Sequence, residues 1–288
     1  MKTRILIIGS KGMAGHVVYH YLKEIDQFDL INISKDNSHF ISDYTIDITK
    51  FDELAIILNK EKPDVVINCV GMLNQFAEND PANAILVNSY LPHFLAKLGT
   101  QKSFRLIHIS TDCVFSGTRG NYTEEDQPDG IGIYARSKAL GEVVYGDHLT
   151  FRTSIIGPEL KENGIGLMDW FFRQHGTIQG YTNAIWTGVT TLALAKAILY
   201  AIEKKISGLY HLVNGNTISK FDLLVLCKEV FNKRDLNIEP YMGYKVDKSL
   251  VGSTLDFSVG SYEQMVKEMH DWIVKHIEIY PCYYNIVK

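Results

Sequence analysis

The stretch Arg4-Ile5-Leu6-Ile7-Ile8-Gly9-Ser10-Lys11-Gly12-Met13-Ala14-Gly15 reads as a strand, a glycine turn and the start of a helix. The apolar run Ile5–Ile8 is too short for a leader core or a membrane span, and suits a strand covered on both faces. The glycines fall as G-x-x-G-x-x-G, one residue off the common G-x-G-x-x-G fingerprint. Gly9 permits a tight turn, Gly12 lets the backbone approach a pyrophosphate, and Gly15 lets the helix lie close to the sheet. Lys11 and Met13 stand inside this turn. The helix offers free N–H groups and the positive end of its dipole to an anion. A plain strand–turn–helix corner is the alternative reading.

Working outward, Met13, Val17, Val18, Tyr21, Leu22 and Ile25 repeat at helical spacing. Apolar runs return at Leu30–Ile33, weakly at Tyr44–Asp47, strongly at Val65–Val70, and at Leu106–Ser110 and Leu149–Thr153. Helical patterns lie between them, around Phe51–Leu58, Pro81–Lys97 and Tyr134–Tyr145. Buried strands separated by helices and joined by right-handed crossovers give a doubly wound parallel (Rossmann) sheet. After Pro158 the pattern loosens. A glycine-containing loop, Glu162–Gly166, precedes an aromatic helix with Met168, Trp170, Phe171 and Phe172. Amphipathic helices are predicted over Thr190–Ile202, Phe221–Val230 and Tyr262–His276, with a strand at Leu209–Val213. The expected class is α/β with a smaller C-terminal substrate lobe. A dinucleotide-binding domain is expected over 1–158, rejoined by about 182–203, with the lobe mainly 159–288.

The 288 residues carry a net charge of -4 and are 46% hydrophobic, enough to bury one large domain or two intimate ones. The mild acidity leaves no electrostatic footprint for nucleic acid. No apolar stretch reaches the length of a membrane span. Cys69, Cys113, Cys227 and Cys282 form no C-x-x-C pair, so neither a metal site nor a disulfide framework is expected. That fits a reducing, cytoplasmic setting. A homodimer is compatible with everything read here.

At the end of the second strand, about 20 residues past the last glycine, an NAD site would place Asp or Glu. Ser34 stands there instead and Lys35 follows, a pair suited to a 2′-phosphate, so NADP(H) is favoured. Asp36 keeps NAD(H) open, and Lys35 reads equally well as a solvated turn residue. Asp47-Ile48, after the weak third strand, is placed at the adenine edge.

Tyr134-Ala135-Arg136-Ser137-Lys138 is a Y-x-x-x-K, which a helix puts on one face. An ammonium there favours the phenolate and is expected to lower the phenol's pKa from about 10. The phenol can then protonate a carbonyl oxygen as hydride reaches its carbon. The pattern alone is common on amphipathic helices. Order adds weight: Thr111 ends the fifth strand, 23 residues before Tyr134, where ligands sit in open α/β sheets. Its hydroxyl can stabilise a developing alkoxide.

Gly9–Gly15, Asn68-Cys69-Val70-Gly71, Ser110-Thr111-Asp112-Cys113-Val114-Phe115-Ser116-Gly117, the YARSK segment and Arg152-Thr153-Ser154 occur in that order. Together they resemble the extended short-chain dehydrogenase/reductases and, within them, the dTDP-4-dehydrorhamnose reductase branch. The resemblance covers nearly the whole chain and is densest over 1–160. It implies a Thr111–Tyr134–Lys138 triad, with Lys138 also holding the nicotinamide ribose. Cys69, Val70 and Gly71 would line the cofactor. Asn88 matches an asparagine that often accompanies the triad, and otherwise reads as a polar helix position. The implied reaction is hydride transfer to C4 of a nucleotide-linked 4-keto-6-deoxy sugar, whose binding would involve Thr111, Asp112 and Cys113.

One departure bears on the chemistry. The family motif usually has tyrosine at the place of Cys113. In GDP-fucose synthase, a related epimerase–reductase, a cysteine there acts in epimerisation. A thiol beside a keto sugar can move the protons that the carbonyl acidifies, with Lys161 or His175 as partner acid by rough location. A small apolar filler is the other reading of Cys113. Arg152 suits a diphosphate or a buried ion pair, and Trp186 a sugar-stacking or a core role. Another function class is a non-catalytic NADP-binding regulatory subunit, which would have no need of the three triad groups together.

Overall fold

The computed structural model describes residues 2–161, 164–252, 255–284 and 286. Glu162 and Asn163, which begin the predicted glycine-containing loop, lie outside the described residues. The strands are β1 (Thr3–Ile8), β2 (Phe28–Ser34), β3 (Tyr44–Thr45), β4 (Val65–Asn68), β5 (Arg105–Ile109), β6 (Leu149–Arg152), β7 (Ile155–Ile156), β8 (Gly176–Trp186), β9 (Val189–Thr190), β10 (Gly208–His211), β11 (Ile218–Ser219) and β12 (Leu236–Asp247). The α-helices are α1 (Met13–Ile25), α2 (Phe51–Glu61), α3 (Asn74–Asn79), α4 (Pro81–Ala84), α5 (Leu91–Lys102), α6 (Gly132–Leu140), α7 (Leu167–Phe172), α8 (Thr191–Lys204), α9 (Lys220–Val230) and α10 (Tyr262–Lys275).

Seven strands form a parallel sheet in the order β3-β2-β1-β4-β5-β6-β10. The strand order reverses between β1 and β4, and ligands bind at such a switch point, beyond the carboxyl ends of the strands. Side chains alternate across the sheet. Ile5 and Ile7 join one core with Val17 and Val18 of α1 and Leu194 and Ile198 of α8. Leu6 and Ile8 join the opposite core with Leu54 and Leu58 of α2 and Leu91 and Leu95 of α5. Strands apolar throughout are therefore covered on both faces, as their sequence requires.

A separate three-stranded sheet, β11-β8-β12, pairs β8 with β12 in parallel and with β11 antiparallel. The sequence reading did not anticipate β12. It also missed that β10 returns to the main sheet beside β6, so the chain's return extends past 203 to His211. The segment predicted as one helix over Pro81–Lys97 is divided. Residues Ile85–Tyr90 adopt π-helical hydrogen bonding between α4 and α5, and α3 precedes them. β4 stops at Asn68, where the asparagine side chain takes the Val70 N–H at 3.1 Å and turns the chain. α6 stops at Leu140, short of the predicted Tyr145. A Cβ on Gly141 would lie 1.8 Å from the Asn88 carbonyl oxygen, so only glycine lets this helix end rest on the π segment.

Candidate active site

The first glycine turn sits at the switch point. Gly9 has φ +81°, and its N–H donates to the Ile33 carbonyl at 2.9 Å, tying the turn to β2. A Cβ at Gly15 would come within 2.1 Å of the Gly9 oxygen, which explains why the helix approach demands glycine. Gly12 is exposed, and a Cβ there would meet only the Gly9 oxygen, at 3.4 Å. α1 takes no side-chain cap from Gly12, so its first N–H groups depend on an outside acceptor. A pyrophosphate supplies that acceptor, and the cradle fits it.

Near Ser34 the two candidate lysines differ in their setting. Lys35 is exposed and acts on Asp47. Lys11 is the buried cation: its Nζ donates to the Asp36 carbonyl at 2.5 Å and lies 5.1 Å from the Phe40 ring centre. Burial lowers its pKa, opposed by the Asp36 carboxylate. The Ser34 hydroxyl donates to the same carbonyl at 2.5 Å and pairs with Ser42 at 2.7 Å, so its proton is already committed. Asp47 caps its own turn through Thr49, and Ile48 packs on the core below β2.

The loop after β4 lies opposite. A Cβ on Gly9 would meet Val70 Cγ2 at 2.7 Å, placing Cys69 and Val70 against the glycine turn. Gly71 packs beside Asn88 and Lys138: a Cβ there would sit 3.5 Å from Asn88 Oδ1 and 3.9 Å from Lys138 Nζ. Asn88 is fully buried. Its Oδ1 accepts the Met72 N–H at 2.8 Å, and its Nδ2 donates to the Met72 carbonyl at 2.9 Å and to Ser137 Oγ at 3.0 Å. Asn88 thus clamps the β4 loop to α6, and it does so from a π segment, a feature frequent at functional sites.

Thr111 and Tyr134 meet. The Thr111 side chain lies near enough to the phenol to act on it, while its Oγ1 donates to Asp112 at 3.2 Å and accepts the Cys113 N–H at 3.1 Å. Burial drives the phenol's pKa above its ordinary value, Cys113 and Asp112 push the same way, and Thr111 opposes them. The lowering expected from Lys138 is absent. Lys138 is buried, and its Nζ donates to the Ile109 carbonyl at 2.7 Å. Burial brings its pKa down to about 8, against the opposing pull of Glu142 and Cys69. Asp112 is buried, and its carboxyl is pushed up by desolvation while Lys248 and Lys220 pull it down.

A cleft of about 330 Å³ opens over this group, lined by Tyr134, Cys113, Phe115, Asn74, Glu78 and Lys248 among others. Sequence reasoning missed Asn74, Glu78 and Lys248. Glu78 Oε1 accepts the Ile133 N–H at 2.7 Å and the Tyr134 N–H at 3.3 Å, fixing the start of α6. Lys248 arrives from far along the chain. The Tyr122 N–H donates to Ser249 O at 2.9 Å and the Asp247 N–H to Gly117 O at 2.8 Å, laying 247–251 on the loop after β5.

Other predicted residues fall elsewhere. Arg152 is buried with both prongs on Glu142, at 2.8 and 2.7 Å, so its fork is not available to a diphosphate. Trp186 is a core residue, 2% exposed, and offers no stacking face to the cleft. His175 pairs with Asp235, and exposed Lys161 acts on Asp36 and Glu159, so neither serves Cys113. Burial first, then Asp112, push the Cys113 thiol up to about 11. About one thiol in ten thousand is then ionised at pH 7, too few for an efficient base. Among the described residues no helix is long and apolar enough to cross a membrane.

Residues 3–247 match the family model described as the RmlD substrate binding domain. The dTDP-4-dehydrorhamnose reductase of Salmonella typhimurium is 28% identical over 268 residues, 87% of this chain and 88% of that protein. A crystal structure described as a hypothetical dTDP-4-dehydrorhamnose reductase from Sulfolobus tokodaii has TM-score 0.76 and 28% identity, covering 91% of this chain and 98% of that one. The dTDP-4-dehydrorhamnose reductase of Bacillus anthracis str. Ames, solved in complex with NADP, has TM-score 0.81 and 21% identity, covering 94% of this chain and all of that one.

Proposed function

The chain belongs to the RmlD substrate binding domain family, and on that premise we propose that it is an NADPH-dependent reductase of the C4 keto group of a nucleotide-linked 4-keto-6-deoxy sugar. The observation that carries this reading is the Tyr134 phenol facing an open cleft, with Thr111 near it at the carboxyl end of β5 and the glycine cradle across the loop after β4. When bound, the reduced nicotinamide supplies a hydride. Gly12 and the first amides of α1 would hold its pyrophosphate, Lys11 its ribose phosphate, and Lys138 its second ribose. Tyr134 starts protonated, because burial holds its pKa high. A reductase needs that: the phenol must give a proton to the new alkoxide. Thr111 would hold the carbonyl oxygen, and a charged Lys138 would grip the nicotinamide ribose.

The epimerase reading through Cys113 is not favoured, since the thiol stays protonated and the partner acids expected for it, Lys161 and His175, are engaged elsewhere. We expect Cys113→Ser to keep kcat within about threefold. In D2O, neither protein should place deuterium at carbons 3 or 5 of the sugar. A product deuterated by the native protein but not by the variant would reverse that view. The binding-only reading is not favoured either, because Tyr134 opens on a cleft with Thr111 and Lys138 buried close by.

The test is NADPH oxidation with a panel of 4-keto-6-deoxy sugars linked to dTDP, UDP or GDP, with products identified by NMR. Cofactor binding without turnover on all of them would overturn the reductase reading. In the same assay Lys11→Met should raise KM for NADPH about tenfold, the loss of one charge-assisted hydrogen bond, and leave KM for NADH nearly unchanged. An equal effect on both cofactors would assign Lys11 to the turn alone.

A further inference from the structure

His108 lies in the middle of the sheet, on β5, with no exposed surface, and takes no part in the chemistry above. Its ring bridges two elements of the site. Nδ1 is 3.2 Å from Asn68 Nδ2, and Nε2 is 3.5 Å from Lys138 Nζ. The Asn68 carboxamide is held in one orientation, because its Oδ1 accepts the Val70 N–H at 3.1 Å. Its amide nitrogen therefore donates to His108 Nδ1. Burial and the neighbouring Lys138, then His93, keep the ring neutral. A neutral imidazole that accepts at Nδ1 carries its proton at Nε2. That N–H points at Lys138 Nζ, where a neutral amine can accept it and an ammonium cannot.

We infer that His108 is a positioning residue that sets the proton state of Lys138, its Nε2–H favouring the neutral amine. Burial lowers Lys138 as well, and the groups facing it from its other neighbours act in the opposite sense: the Ile109 carbonyl on β5, Cys69 after β4, and Glu142 just past the end of α6. Lys138 is left titrating near the working range instead of permanently charged. Its functional consequence rests on the reductase reading: such a lysine can take up or release a proton as Tyr134 does. The proton placement itself stands on the hydrogen bonds alone.

The test uses the cofactor-free full chain. Nitrogen-15 NMR of the His108 ring should show the proton on Nε2, and a ring protonated on Nδ1 would overturn the inference. Carbon-13 NMR of the lysine ε-carbons, with Lys138 assigned by loss of its signal in Lys138→Arg, should give a midpoint near 8. In His108→Leu that midpoint should rise by about one pH unit, and an unmoved midpoint in a folded variant would overturn it. If His108→Leu does not fold, the ring proton of the native protein decides alone. Absence of turnover on every keto sugar, with the proton on Nε2, would sink the reductase reading and leave this one standing.

Discussion

Tyr134→Phe should lower kcat by about 10²–10⁴-fold, the usual worth of a positioned general acid, while the NADPH dissociation constant stays nearly constant. The substitution removes one oxygen and keeps the ring that lines the cleft. Loss of the hydroxyl costs about 1 kcal/mol of stability at most, so the protein remains folded. The cleft offers no efficient substitute acid. Cys113 is pushed up to about 11, and Lys248 is bound toward Cys113 and Asp112. Stopped-flow measurement of hydride transfer, with cofactor binding followed by fluorescence, separates chemistry from affinity. The pH profile adds a sign. Lys138 is lowered from 10.5 to about 8, so it is charged below that value and neutral above. Since the charged form would hold the nicotinamide ribose, kcat/KM for NADPH should fall as pH rises through 8. A profile flat to pH 10 would remove Lys138 from cofactor binding, and a Tyr134→Phe protein of native activity would remove this phenol from the reaction.

The parts of the fold that could be read were those whose neighbours impose a pattern. β1, β4 and β5 are buried on both faces, so their apolar runs stand out whatever surrounds them. β12 is exposed over much of its length and carries Pro240 and Gly243. It has no periodic face, and pairing with β8 alone makes it a strand. The π segment was illegible for another reason: an added residue per turn leaves the same apolar residues in the window, and only the Asn88 contacts reveal it. In the site, Thr111, Tyr134 and Lys138 carry local spacing that a helix and a strand end translate directly into position. Lys248, Glu78 and His108 reach the same place through loop contacts and strand register, which no local window contains. Lys11 shows a milder case. It stood inside the glycine turn, but folding aims it at Asp36, and the adjacent Lys35 drew the cation assignment instead.

Arg152→Ala should destabilise the protein by about 3–5 kcal/mol, the cost of stripping one partner from a buried ion pair. Arg152 and Glu142 are each 5% exposed, and both guanidinium bonds to the carboxylate are short. After the substitution the carboxylate keeps the Ser110 hydroxyl, at 2.7 Å, and loses both guanidinium donors. The double variant Arg152→Met, Glu142→Leu should recover most of the loss, because two apolar groups need no partner. Urea unfolding of the two single variants and the double variant measures the coupling. The same series decides between two jobs for this arginine. A diphosphate ligand would raise KM for the nucleotide sugar and leave the unfolding midpoint alone. An ion pair does the reverse, with KM nearly unchanged in whatever fraction stays folded. The ion pair also reaches the chemistry indirectly. Glu142 lies just past the end of α6 and favours the charge on Lys138, so Glu142→Gln should move the fall of kcat/KM for NADPH to lower pH, a shift that loss of packing alone cannot produce.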